Sequence, residues 1–298
     1  MNKRILIVSV VIFVGLFGAY NLIKYNLFKN IGNNDEVSSE VKKDNKISIK
    51  DTQRDIDEVV KTREFDGDVI YNDNFVPVLM YHSIDYEENN ELRIPADKFQ
   101  NHMKYLKDNG YTTLTMDEFY DFMIKNKPVP RKSVLITFDD GYEDNYKNAY
   151  PILKKFGFKA TIFVITSTVD NDGSYLNSSQ LKEMSKNGID IEGHTVNHDD
   201  LSKLDYNAQL KTLKDSKSFL EDILNKEVNY VAYPFGRCNG STVKAAETAG
   251  YKMAFTTEGG WANRNQGIYE LHRVYMSNNH DMNEFQRRLT NPDYDASN

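Results

Sequence analysis

The sequence predicts an α/β protein whose main domain is a barrel-like parallel sheet, and three observations carry that expectation. From Val76 onward, short apolar and β-branched runs alternate with amphipathic segments, the order that builds a parallel sheet or barrel. Seven or eight such runs follow one another with helix-sized segments between them, as a (β/α) barrel requires. The chain's most conspicuous polar residues stand where those runs end, which is where a barrel gathers its chemistry.

The chain has 298 residues, 40% of them hydrophobic and 12% aromatic, ample for a sizeable core. A net charge of -7 with both signs interspersed argues against a nucleic-acid partner, which would call for a basic stripe. Residues Ile5 to Ile23 carry no charge and follow Lys3 and Arg4, so 1–28 reads as a single membrane-spanning anchor with the positive flank inside. Cleavage after "FGA" at Ala19 is the alternative, and it would make the protein secreted. On either reading the rest of the chain lies outside the cytoplasm. Residues 29–75, rich in Asn, Asp, Lys, Ser and Glu, read as a polar stalk, and 76–298 as the folded domain. The one cysteine, Cys238, forms no internal disulfide and reads as a partly buried bystander.

The expected strands are 78–81, 112–114, 134–138, 160–165, 189–191, 230–233, 252–255 and 271–276. Between them Phe99, Met103 and Leu106 share a helical face that stops at Gly110. "TMDE" at 115–118 predicts a capping box, and Leu210, Leu213, Leu220 and Leu224 predict a helix over 207–225.

"VLITFDDGYEDN" runs a buried strand into two adjacent carboxylates, Asp139 and Asp140. Neighbouring carboxylates repel, and a cation resolves the conflict if one carboxylate holds it while the other serves as base for an attacking water. The plainer alternative is that both cap a helix starting near Tyr142. A second cluster, "IEGHTVNHDDL", places His194 and His198 at another strand exit with three residues between them, a spacing at which two imidazoles can meet one ion. Asp140, His194 and His198 would make three ligands and leave a position open for water, as catalytic zinc sites do.

"TFDDG" followed by "HTxxHxxL" (His194, Thr195, His198, Leu201) resembles the polysaccharide deacetylases, carbohydrate esterase family 4, over roughly Val76 to Leu289. The resemblance implies a distorted (β/α) barrel that removes acetyl groups from N-acetylated sugars in a polymer; the anchor and polar stalk favour a polymer of the cell's own envelope, with N-acetylglucosamine as the unit. It implies Asp139 as general base, and Asp140, His194 and His198 as ligands of a divalent metal, commonly zinc. The family's third motif usually opens with an arginine that steadies the base. Here "VAYPFG" offers Pro234, Phe235 and Gly236 without it, and Arg273 in "LHRVYM" is the candidate substitute. The resemblance gives the oxyanion a backbone N–H at Phe235, and Gly236 suits a close backbone approach. It also requires an acid for the leaving amine. His82 in "PVLMYHSI" matches a subgroup, including poly-N-acetylglucosamine deacetylases, whose strand order is permuted; His272 in "ELHRV" is the alternative. Trp261 in "EGGWANRN" is expected either to wall a sugar groove or to fill the core. His102 and His280 read as structural or solvated.

Two rivals accompany this reading. A glycoside hydrolase would use Asp139 and Asp140 as its carboxylate pair, but adjacent residues tend to point apart instead of flanking a bond about 5 Å or more across. A glycan-binding module without turnover would explain the missing third-motif arginine. The sequence does not choose among peptidoglycan, poly-N-acetylglucosamine and chitin-like polymers.

Overall fold

The computed structural model describes residues 63–295. The run Ile5–Ile23 and most of the polar segment lie outside them; among the described residues, no helix is long and apolar enough to cross a membrane.

Seven parallel strands close the barrel. They are β2 (Val78–Tyr81), β5 (Ser133–Phe138), β6 (Ala160–Val164), β7 (Ile189–Gly193), β8 (Tyr230–Ala232), β9 (Met253–Gly259) and β10 (Leu271–Tyr275). Around the ring the order is β2, β10, β9, β8, β7, β6, β5, and β5 returns to β2 with Val78 opposite Leu135 and Tyr81 opposite Phe138. The expected eighth strand, near 112–114, is the two-residue β3 (Thr112–Thr113), which pairs only with the start of β5. Outside the ring, β1 (Val69–Ile70) and β4 (Val129–Pro130) form an antiparallel ribbon.

The packed domain therefore reaches back before the sequence boundary at Val76. Ile70 is buried in the β1–β4 ribbon, and Arg63 pairs with Glu118 at 2.6 Å. The polar composition of this stretch hides it, because a two-residue strand carries too few apolar positions to show a period.

Seven helices of the described residues surround the ring: α1 (Ala96–Asp108), α2 (Met116–Lys125), α3 (Tyr150–Phe156), α4 (Ser178–Lys186), α5 (Tyr206–Leu224), α6 (Gly240–Ala249) and α7 (Met282–Thr290). The capping box forms as expected: Glu118 N–H donates to Thr115 Oγ1 at 3.2 Å and Thr115 N–H to Glu118 Oε2 at 2.9 Å. The α1 face buries Phe99, Met103 and Leu106; α5 buries Leu213 and Leu220 and lays Leu210 and Leu224 against the core at its edge.

Strand periodicity sorts the inward side chains into two zones. Toward the N-terminal strand ends, Val78, Leu135, Phe163, Tyr230, Phe255 and Leu271 pack with Met116, Phe119 and Phe122 of α2, which closes that mouth. Each such large apolar side chain stabilises the fold by about 1.5–3 kcal/mol when buried. Toward the C-terminal ends, Thr137, Asp139, His194 and Arg273 replace the apolar residues, all at most 2% exposed. One mouth of the barrel is closed mainly by hydrocarbon, with Asp190 accepting the Met116 N–H at 2.9 Å, and the other is furnished with the paired charges of the site.

Candidate active site

Asp139 and Asp140 leave the end of β5 in different directions. Asp139 receives two hydrogen bonds of 2.7 Å from Arg273, Nη1 to Oδ1 and Nη2 to Oδ2. Arg273, fully buried on β10, also donates Nε–H to the Thr256 carbonyl at 2.8 Å and Nη1 to Thr137 Oγ1 at 3.3 Å, so its fork is fixed on three sides. Burial pushes the Asp139 pKa up, but the guanidinium outweighs it and holds the carboxyl well below the usual range.

Asp140 turns toward the imidazoles. Its Oδ1 lies 3.4 Å from Nε2 of His194 and 3.4 Å from Nε2 of His198, and a ligand atom from each of the three falls within 4.8 Å of the others. The same Oδ1 is buried without a hydrogen-bond partner. His194 Nδ1 sits 2.7 Å from the Ala232 carbonyl, which makes Nδ1 the protonated nitrogen and leaves the Nε2 lone pair facing Asp140. Burial opposes charge on Asp140 and on His194 alike, yet their mutual contact wins, holding the carboxyl down and the imidazole up. A buried carboxylate oxygen without a donor, facing the Nε2 atoms of two imidazoles, could hold a metal ion.

The local backbone is bent to achieve this. Asp140, Thr195, His198 and Phe235 all have positive φ (72°, 64°, 58° and 59°), a region costly for residues with a Cβ and concentrated at functional sites. The two histidines thus meet through a tight loop and not a helical turn. Neither aspartate caps a helix; their carboxylates are committed to Arg273 and the imidazoles.

His82 leaves the end of β2, which lies between β5 and β10, the strands carrying Asp139 and Arg273. Its Nδ1 is buried with no partner, and Asn145 holds its carbonyl at 2.8 Å. Burial lowers its pKa, with the charges of Asp139 and Asp140 working the other way. Phe235, half exposed at 52%, follows β8 and sets its ring 4.4 Å from that of His198.

A Bacillus subtilis chain assigned by its name to the polysaccharide deacetylases, YxkH, is 48% identical over 202 residues, 68% of this chain and 71% of its own. The chain belongs to the polysaccharide deacetylase family. The family model described as polysaccharide deacetylase matches residues 126–254. A poly-β-1,6-N-acetyl-D-glucosamine N-deacetylase of Staphylococcus aureus is 32% identical over 220 residues, 68% of this chain and 74% of that one. Among solved structures, the Streptococcus pyogenes deacetylase PplD, in complex with acetate, superposes with a TM-score of 0.70 at 35% identity, covering 72% of this chain and 98% of that one.

In this deacetylase the other candidate acid, His272, stands apart from the cluster. It neighbours Arg273 on β10 and so faces the opposite side of the strand, where its Nδ1 meets the Gly259 carbonyl at 3.2 Å. Trp261 lines a hollow of about 380 Å³ with Phe75, Gly260 and His272, and no residue of the metal-type cluster is in that lining. Its indole N–H donates to the Arg288 carbonyl at 2.8 Å and its half-buried ring packs on the core, so the residue is held as a brace. Pro234 is buried, and Gly236 closes a turn with its N–H 2.9 Å from the Tyr233 carbonyl.

Sequence reasoning misses a tyrosine pair beside the site. Tyr142, two residues after Asp140, bridges to Tyr175, and their rings stack 5.1 Å apart at 21°. Burial first, and then the Asp140 carboxylate, push the Tyr142 phenol up. Tyr142 sits in the quoted motif, but nothing in the sequence announces Tyr175 as its partner.

Proposed function

We propose that this deacetylase removes acetyl groups from N-acetylglucosamine units of a cell-envelope polysaccharide, releasing acetate, and that it does so with a divalent metal held by Asp140, His194 and His198. The observation that carries the reading is the buried, partnerless Asp140 Oδ1 facing two imidazole Nε2 atoms, one residue from a carboxylate already neutralised by Arg273. When bound, the cation would lower the pKa of a water and polarise the amide carbonyl.

The protein's own groups supply the proton traffic. Asp139, kept ionised by Arg273, accepts the proton of the attacking water. The N–H of Phe235 would hold the developing oxyanion, a contact worth about 3 kcal/mol per donor in sites of this type. His82 gives a proton to the departing amine, which leaves a glucosamine unit. Arg273 answers the missing third-motif arginine, which is the argument for a module without turnover. The divergence of Asp139 and Asp140 disfavours a glycosidase pair.

The choice of N-acetylglucosamine polymer rests on the Staphylococcus aureus relative, and an envelope setting on the charge-free Ile5–Ile23 run as anchor, with a cleaved and secreted form as the variant. The test is to incubate the full-length protein and zinc with poly-N-acetylglucosamine, peptidoglycan and chitin oligomers, following acetate and reducing ends. Acetate without reducing ends, abolished by Asp139→Asn while zinc content stays, is expected. New reducing ends without acetate would defeat the reading.

A further inference from the structure

We propose that Glu192 is a positioning residue for the metal centre, acting through the strand whose carbonyl orients His194, an inference that rests on the metal reading above. β7 pairs with β6 along its whole length, from Ile189 opposite Ala160 to Gly193 opposite Val164. With β8, on its other side, it makes a single register pair, Gly193 opposite Val231. The start of β8 is instead held by a side chain. Glu192 Oε2 accepts the N–H of Asn229 at 2.9 Å and that of Tyr230 at 2.8 Å, and the residue is 4% exposed.

The end of β8 and the turn after it serve the site directly. Ala232 presents the carbonyl that takes the His194 Nδ1 proton at 2.7 Å, and Phe235 carries the ring that rests on His198. His194 follows β7 directly, its N–H still bonded to the Val164 carbonyl at 3.0 Å, so Glu192 and His194, two apart in extended chain, face the same way and supply the clamp and the ligand from one side. A slip of β8 along β7 would move the Ala232 carbonyl, free the imidazole to rotate, and turn Nε2 away from Asp140. Partners that orient metal ligands typically contribute a factor of 10 to 100 in affinity, and one acting through a strand belongs at the lower end.

The experiment is chelator competition for zinc on the full-length protein, paired with the visible spectrum of the cobalt-substituted form. Glu192→Leu is expected to weaken zinc about tenfold and to alter the cobalt bands. Glu192→Gln, whose amide oxygen can accept the same two N–H groups, is expected to stay within about twofold of wild type. Asp190→Asn is the control: its carboxylate shares the face but accepts from Met116 N–H at 2.9 Å, not from β8, so zinc affinity should not move. If Glu192→Leu does not fold, Asn229→Pro deletes one donated N–H while leaving the carboxylate intact, and a smaller loss of affinity is expected. Wild-type affinity and an unchanged cobalt spectrum in a folded leucine variant, or equally in the proline variant, would overturn the inference. So would a glutamine variant as impaired as the leucine one. Wild-type protein that takes up no zinc at all would instead sink the metal site itself, and this inference with it.

Discussion

Arg273 holds Asp139 through two parallel hydrogen bonds of 2.7 Å, and the pair is sealed from solvent, with exposures of 0% and 2%. The geometry bears on stability and on chemistry together. Removing one partner of a buried pair leaves an uncompensated charge, at a cost of about 3–5 kcal/mol. We expect Arg273→Met to lower the melting temperature by many degrees and to raise the Asp139 pKa, moving the acid limb of the kcat/KM profile to higher pH. Arg273→Lys keeps the charge but loses the fork, and should fall between. An acid limb that stays in place in both variants would show that Arg273 does not set the state of Asp139.

The linkage runs in a definite direction. The folded-state pKa of Asp139 lies below the unfolded value of roughly 3.9, so its contribution is fully present above that value and is lost as pH falls through the folded pKa. Chemical denaturation between pH 5 and 8 should therefore show no contribution from this pair to the pH dependence, with loss confined to strongly acidic solution. A pair-dependent change near neutrality, absent in Arg273→Met, would contradict this.

Metal removal gives a further expectation. Asp140 has φ 72°, a conformation asparagine tolerates, so Asp140→Asn removes the charge with little backbone penalty. Zinc content should fall and acetate release with it, while the melting profile in excess chelator stays close to that of the metal-free wild type. Dialysis against chelator should silence the wild type and added zinc should restore it. Full activity after exhaustive chelation would eliminate the metal role of the three residues.

His82 and His272 separate by their surroundings. Proton transfer by a positioned acid contributes about 10²–10⁴-fold, so His82→Ala should lose that much in kcat and His272→Ala little. Burial lowers the His82 pKa, so the acid form is depleted early as pH rises; kcat/KM should fall on the alkaline side, and that limb should vanish in His82→Ala. If His272→Ala alone loses turnover, the assignment is reversed.

Much of this site is legible in the sequence because its members sit at strand exits, and strand exits can be read from apolar runs that stop at polar residues. Asp139, Asp140, His194 and His198 are found in that way. The pairing of Arg273 with Asp139 is only one option in the sequence, because ring closure between β2, β5 and β10 is a long-range event that no local pattern encodes. Between His82 and His272 the local motif PVLMYHSI favours His82, but the neighbours of each become visible only in the closed ring, where His82 follows β2 between β5 and β10 and His272 turns to the Gly259 carbonyl. The segment 63–75 and the clamp by Glu192 escape notice because one is a two-residue strand and the other a side chain doing the work of a ladder. Trp261 is ambiguous until its indole partner, Arg288, is brought beside it.

The turn after β8 tests whether backbone position or ring contact matters more at the lip of the site. Phe235 and Gly236 both adopt positive φ, 59° and 67°, and a Cβ on Gly236 would collide with the hydroxyl oxygen and main-chain nitrogen of Thr257. The main chain of β9 cannot yield easily there, so Gly236→Ala should push the turn outward, costing about 1–3 kcal/mol and displacing the Phe235 N–H. Phe235→Gly does the opposite: it relieves the left-handed strain and deletes the ring while leaving the N–H where it is. If the main-chain donor is what holds the oxyanion, Gly236→Ala loses tenfold or more in kcat with zinc affinity kept, whereas Phe235→Gly keeps most of kcat and raises KM. Acetate-release kinetics on both variants, with a melting curve for each, decides the matter, and a larger kcat loss in Phe235→Gly than in Gly236→Ala would assign the work to the aromatic ring.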